Sequence, residues 1–185
     1  IFLGLGLATA RLYGPAPLRW LAVGYIEFFR GIPILLLLYF IYFGLPELAG
    51  IKLNPLVASV LAFGLNYAAY EAEIYRAGIL SVPVGQWEAS ISLGMSPWLT
   101  FRRIVFPQAI RTIMPPMTND LIALFKDTSI VSVISVVELS KQYQILTKSY
   151  GGFLQIGLTT AALYLVMSVP LGYFSRWLEQ RWGGK

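Results

Sequence analysis

The chain has 185 residues, of which 57% are hydrophobic and 12% charged; its 14 basic and 9 acidic side chains give a net charge of +5. An ordinary globular protein carries about 25% charged residues, so a soluble domain of this size could not cover its surface. The chain has no cysteine and no histidine, which removes disulfides, Cys or His metal sites and Ser-His or Cys-His nucleophile pairs.

The basic residues punctuate apolar runs instead of forming one face, a pattern of orientation in a bilayer rather than of nucleic-acid binding. The chain opens with IFLGLGLATA and stops being apolar at Arg11. Ten helical residues make about 15 Å, half of a bilayer core, so this stretch reads as the tail of a spanning helix whose beginning is missing. Arg11 to Arg19 reads as a short basic loop held out of helix by Pro15 and Pro17. Leu21 to Gly44 follows as a spanning helix, interrupted only by Glu27, Arg30 and Pro33.

Leu45 to Pro55, with Pro46, Gly50 and Asn54, reads as a loop. Leu56 to Ala69 is a second apolar run that ends in Tyr70-Glu71-Ala72-Glu73-Ile74-Tyr75-Arg76. Glu73 and Arg76 stand three apart and suit an interfacial ion pair, as do Glu27 and Arg30. Glu71 is a candidate for the wall of an exit path.

From Gly85 to Arg111 the chain turns polar and basic between apolar runs: GQWEASISLGMSPWLTFRRIVFPQAIR. Connections between packed helices usually take only a few residues, and this one is far longer. Its pattern predicts a helix from Gln86, ended by Gly94 in a left-handed conformation, and a second helix begun by Ser96-Pro97. Ala89 and Ser90 are small enough for a groove or another backbone to approach, and Glu88 offers an acceptor to a basic partner. The plainer reading is an amphipathic helix lying on the bilayer, with Arg102 and Arg103 on lipid phosphates.

Ile113 to Val137 is the third run and carries Asn119, Asp120, Lys126 and Asp127 in its middle. Charges at bilayer depth face a partner or a watery path. Asp120 is the candidate for the path and Asn119 stands beside it, the rival being a polar cluster that joins helices. Lys126 and Asp127 read as structural. Pro115-Pro116 reads best as a helix start, with a broken mid-membrane helix as the alternative. Glu138 to Tyr150 is polar, and Phe153 to Phe174 is a fourth run long enough to span. Tyr39, Tyr42, Trp87, Trp98, Tyr164, Tyr173, Trp177 and Trp182 suit membrane interfaces.

Alternating sides across the spans places Arg11, Arg19, Arg30, Arg76, Arg102, Arg103, Arg111, Arg176, Arg181 and Lys185 on one side, and Lys52, Lys141 and Lys148 on the other. The richer side is cytoplasmic by the positive-inside rule. It includes the polar stretch and the C-terminus.

Glu88-Ala89-Ser90, three residues, Gly94, nine residues, Ile104, one residue and Phe106-Pro107 resemble the EAA loop of binding-protein-dependent ABC importer permeases. Ser90 stands where that pattern has a second Ala, and Phe106 where it has Leu. Glu27-Phe28-Phe29-Arg30-Gly31-Ile32-Pro33 and Leu124-Phe125-Lys126-Asp127-Thr128-Ser129-Ile130-Val131-Ser132-Val133-Ile134 are similar to motifs of the polar amino acid branch of that family.

The resemblance implies an all-α, polytopic type I ABC importer transmembrane domain over residues 1–185, with about five helices, the first truncated. It further implies a coupling helix within residues 85–111 that contacts ATPase subunits through Glu88, Ala89, Ser90, Gly94, Ile104 and Pro107. It places Asp120, beside Asn119, along the substrate pathway in a bacterial inner membrane, to which Glu71 is added as the candidate wall of the exit. The implied partners are ABC ATPase subunits, a second permease subunit, an extracytoplasmic substrate-binding protein and membrane lipid, not nucleic acid.

The sequence has no Gly-x4-Gly-Lys-Ser/Thr phosphate loop. The chain is therefore expected to be non-catalytic and to bind no cofactor, with ATP and Mg held by the partner. A secondary transporter or channel subunit using Asp120 and Lys126 is the alternative. A membrane-embedded enzyme is weaker, because no convincing carboxylate pair spans two helices.

Overall fold

A computed structural model describes residues 1–182; Lys185, counted above on the basic side, lies outside them. The described residues are helical with no strand, as the apolar runs predict. The helices are α1 (Phe2–Tyr13), α2 (Ala16–Gly31), α3 (Ile34–Tyr39), α4 (Leu45–Ala49), α5 (Pro55–Leu80), α6 (Val84–Ser92), α7 (Pro97–Thr100), α8 (Phe106–Asp127), α9 (Leu139–Tyr150) and α10 (Phe153–Trp182). A π turn over Phe40–Gly44 joins α3 to α4, another over Phe101–Val105 joins α7 to α8, and a 3-10 segment over Thr128–Ile134 follows α8.

Several boundaries differ from those expected. The Arg11–Arg19 loop shrinks to a turn, because Pro17 falls in the first turn of α2, where a missing N–H costs no hydrogen bond. Leu21–Gly44 is not one helix: α2 stops at Gly31 and α3 resumes at Ile34. Pro33 lacks an amide hydrogen and disfavours helix at the residue before it. The Leu45–Pro55 loop is helical as far as Ala49; Gly50, at φ 68°, ends it, and the Asn54 side chain accepts from the Leu56 amide to start α5.

Pro115 and Pro116 lie inside α8 rather than at its start. The helix approaches them from Phe106, so their missing donors leave the carbonyls of Arg111 and Thr112 without helical partners. The polar stretch after Val137 forms α9, whose first amides are capped by Glu138: its carboxylate accepts from Ser140 N (2.8 Å) and Lys141 N (2.6 Å).

Among the described residues, one helix is long and apolar enough to cross a membrane by itself, over Phe153–Arg181; α2 with the segment from Ile34 to Ala49 passes only as a broken pair. The 26 residues of α5 and 22 of α8 have the length, about 1.5 Å per residue, but carry Asn66, Glu71, Glu73 and Arg76, or Arg111, Asn119, Asp120, Lys126 and Asp127.

The chain forms two compact units. One comprises Ile1–Phe28, Ala68–Asp120 and the chain from Phe174; the other comprises Phe29–Tyr67 and Leu121–Tyr173. The core of the first is Ala8, Ile26, Ala72, Tyr75, Val82, Val105, Ala109 and Ile113. Small residues let its helices approach closely. A Cβ on Gly4 of α1 would stand 3.0 Å from the Ala68 carbonyl of α5, and one on Gly78 of α5 would collide with Ile113 of α8. The core of the second is Leu37, Leu38, Ile41, Ala58, Ala62 and Ile134. There the Tyr67 hydroxyl donates to Asp127 Oδ2 at 2.8 Å, giving that charge a structural partner.

Candidate functional site

The candidate residues form two groups, both in the first unit. The first is built on α6. Pro83 precedes it, and its carbonyl accepts from the Gln86 amide at 2.9 Å. Val82, just before that cap, lies in the core cluster against which Trp87 packs, in the manner of a hydrophobic staple that fixes the direction of entry.

The other end is closed by Gly94, at φ 78°. Its amide bonds the Ile91 carbonyl at 2.9 Å, and the Met95 amide bonds the Ser90 carbonyl at 3.1 Å. These are the two bonds of a Schellman turn, which requires a left-handed residue at that position. Ser96 then caps α7 by accepting from Leu99 N at 3.3 Å, with Pro97 in the first turn.

This frame fixes which face of α6 is free. Trp87 is half-buried and Ser90, three residues on, is only 4% exposed. The Ser90 hydroxyl donates to the Gln86 carbonyl at 2.5 Å, so Ser90 belongs to the inner face. Glu88, Ala89, Ile91, Ser92 and Gly94 are exposed, and Leu93 is 83% exposed. The exposed side of α6 therefore mixes small and apolar side chains with Gln86, Ser92 and a single carboxylate. Ile104 is partly buried and Pro107 is exposed; Pro107 lines a separate cavity with Phe106, Ile110, Arg111 and Arg181. Spacing in the sequence groups these six residues, but the fold sorts them into an outer helix face, an inner one and the flank of the following helix.

The second group is on α5 and α8. Asn119 is fully engaged: its Nδ2 donates to Glu179 Oε1 at 3.1 Å, and its Oδ1 accepts from the Ser175 hydroxyl at 2.8 Å. Ser175 is buried, so this amide ties α8 to α10. Asp120 is its opposite. The side chain is half-buried, and its Oδ2 is shut from solvent with no hydrogen-bond donor.

Glu71 is half-buried, accepts from the Tyr75 hydroxyl at 2.8 Å, and is near enough to act electrostatically on Asp120. Glu73, two residues on, is paired with Arg11 of α1 and with Arg76. The two acids of α5 thus separate into one paired with two arginines and one, beside Asp120, that meets the Ile1 ammonium at 2.8 Å. Asp120 has no ion pair among the described residues, and a half-enclosed carboxylate without a cation suits a positively charged group.

Sequence reasoning missed the contacts of Asn119, because Ser175 and Glu179 are 56 and 60 residues away. Their one local signal is their spacing of four along α10, which places them on one helix face.

Residues 1–183 match the family described as binding-protein-dependent transport system inner membrane component. A probable amino-acid ABC transporter permease of Bacillus subtilis, YckA, is 41% identical over 180 residues, covering 97% of this chain and 79% of that protein. The glutamine transport system permease GlnP of Escherichia coli is 37% identical, covering 98% and 83%. A solved amino acid ABC transporter superposes with a TM-score of 0.91 at 36% identity, covering 98% of this chain and 84% of that one. The MetNI methionine ABC transporter, at 21% identity, shares the fold with a TM-score of 0.74, covering 96% and 83%. The fold is thus that of an ABC importer transmembrane component, and the chain belongs to the binding-protein-dependent transport system inner membrane component family.

Proposed function

We propose that this permease subunit carries an amino acid, driven by ATP that separate motor subunits hydrolyse, and that the outer face of α6 is where the motor docks. The carrying observation is that face: a nine-residue helix, closed at one end by a Schellman turn and anchored on the core by Trp87, presents Glu88, Ala89, Ile91 and Leu93 outward. An exposed helix face of small and apolar side chains with one acid suits a groove on a partner that has a basic rim. Ser90 contributes by packing inward, and Gly94 by setting where the helix stops. Ile104 and Pro107 hold the segment that follows.

Asp120, with Glu71 beside it, is the proposed reader of the substrate ammonium. Asn119 holds α8 in place and does not contact the substrate. The bias of the arginines puts α6 on the cytoplasmic side, where ATP is available. Alternating access would then arise from motor closure pushing α6 as a lever, with a second permease subunit across a two-fold axis. A binding protein on the other side would deliver the cargo. The named cargoes of the relatives, glutamine among them, are amino acids, which supports the substrate class.

The test is reconstitution in proteoliposomes with the ATPase subunit and the binding protein. Uptake of glutamine, cystine, arginine and histidine is followed with internal ATP, and separately with a proton gradient alone. ATP-dependent uptake of at least one amino acid is expected. Uptake that follows the proton gradient without ATP would overturn the reading.

A further inference from the structure

A cavity of about 520 Å³ lies on the flank of α8, lined by Phe106, Pro107, Ile110, Arg111 and Arg181. It is of the size that holds small ligands, about 300–1,000 Å³. Its wall is mostly apolar, and its charged groups are two guanidinium ions, with no carboxylate among the lining residues. Both arginines are exposed, and Arg111 takes part in no ion pair among the described residues. Such a site suits a ligand that is anionic at one end and apolar along its length.

The surroundings place the cavity at a definite depth. On α10, Phe174 and Trp177 stack at 5.9 Å, and the Arg181 guanidinium lies 5.1 Å over the Trp177 ring. Tyr173, Phe174 and Trp177 are all largely exposed. Exposed aromatic rings at the end of the one helix, among the described residues, that is long and apolar enough to span by itself mark the level of the lipid headgroups. Arg181, one turn beyond Trp177, therefore sits at phosphate height. Arginine forks match phosphate oxygens in pairs, and Phe106, Pro107 and Ile110 offer an acyl chain the adjoining wall.

We propose that this cavity is a binding site for an anionic phospholipid. Its phosphate is held by Arg111 and Arg181, and the upper part of an acyl chain lies against Phe106 and Ile110. The site lies on the same helix flank that follows the coupling segment, so lipid bound there would brace α8 and the end of α10 against each other. The inference rests on membership of a membrane family and on this geometry, not on the identity of the cargo.

The test uses the full chain in nanodiscs containing phosphatidylglycerol and phosphatidylcholine at equal mole fraction. The protein is extracted into mild detergent, and retained lipid is read by native mass spectrometry and lipid extraction. The wild type is expected to retain phosphatidylglycerol over phosphatidylcholine by about tenfold, and Arg111→Gln with Arg181→Gln to bring that ratio to near one. Arg19→Gln with Lys148→Gln, both outside the cavity, serves as a charge-matched control and should keep the preference.

Ile110→Trp, which fills the cavity without removing charge, should also abolish it, and a melting curve on each variant separates loss of lipid from loss of fold. Inorganic phosphate at millimolar concentration should not displace the lipid. No preference in the wild type, an unchanged ratio in the double arginine variant, or full displacement by inorganic phosphate would each overturn the proposal. So would loss of ATPase-subunit binding in the double variant with lipid retention intact, which would make the cavity a protein contact.

Discussion

The outer face of α6 and the acidic group on α5 and α8 are both polar interruptions of apolar sequence, yet the fold treats them in opposite ways. On α6 the carboxylate of Glu88 stands in the open beside apolar side chains, and every bond that shapes the helix is local. On α8 the Asp120 carboxylate is half-enclosed, and its neighbour Asn119 is bound to residues far along the chain. On the roles proposed for them, the difference separates a docking surface for a macromolecule from a site for a small cation. The first is an exposed helix face that sets one carboxylate among small and apolar side chains. The second is enclosed, acidic and lacks a donor at one oxygen.

The comparison can be broken at several points. The largest effect is expected from Glu88→Lys, which places a like charge against the basic rim proposed for the motor. Loss of a central interface anchor costs about 2–4 kcal/mol, so motor affinity, read by titrating the ATPase subunit onto the permease in nanodiscs, should fall by about thirtyfold or more. Asp120→Asn should leave that affinity unchanged. Its effect falls on uptake, which should drop about tenfold to a hundredfold, the worth of a hydrogen bond to a charged group, about 1.5–3 kcal/mol.

Next in size is Asn119→Ala. It strands the buried Ser175 hydroxyl, and a buried polar group left unpaired costs about 1–3 kcal/mol, so the thermal midpoint should fall. Asp120→Asn, by contrast, should not lower the midpoint, because it breaks no hydrogen bond at Oδ2. If Asn119→Ala melted like the wild type while uptake collapsed, the two residues would have to exchange roles. The smallest effect belongs to Gly94→Ala. A side chain at φ 78° costs about 1 kcal/mol, enough to loosen the end of α6 and weaken motor binding several-fold without displacing the helix.

How far the sequence could be read depended on the range of the interactions. Pro83, Gly94, Ser96 and Pro97 act within four residues, so both ends of α6 were legible, and Gly94 takes the left-handed conformation expected of it. Which face of α6 turns inward was not legible from motif spacing. Ser90 looks like a contact residue in the pattern but is buried, and the clue was Trp87 three residues earlier, the one large aromatic of the helix.

Pro115-Pro116 misled for a related reason. Prolines mark helix starts only when no helix already arrives from upstream, and here α8 arrives from Phe106. The break at Pro33 is hard to read from hydropathy because Ile32 precedes it and a long apolar run from Ile34 follows it. Asn119 could be read as polar and interior, but choosing between clamp and pathway required partners from α10.

Because the chain has no cysteine, a single introduced thiol reports on one position without background. Glu88→Cys, Leu93→Cys and Ser90→Cys, with Leu48→Cys as an exposed position in the other unit, can each be labelled with a maleimide in nanodiscs, with and without the ATPase subunit. The account predicts rapid labelling at positions 88, 93 and 48, slow labelling at 90, and strong protection by the motor at 88 and 93 only. Labelling at 88 and 93 that proceeds at the same rate with the motor bound would contradict the claim that the outer face of α6 is its docking surface.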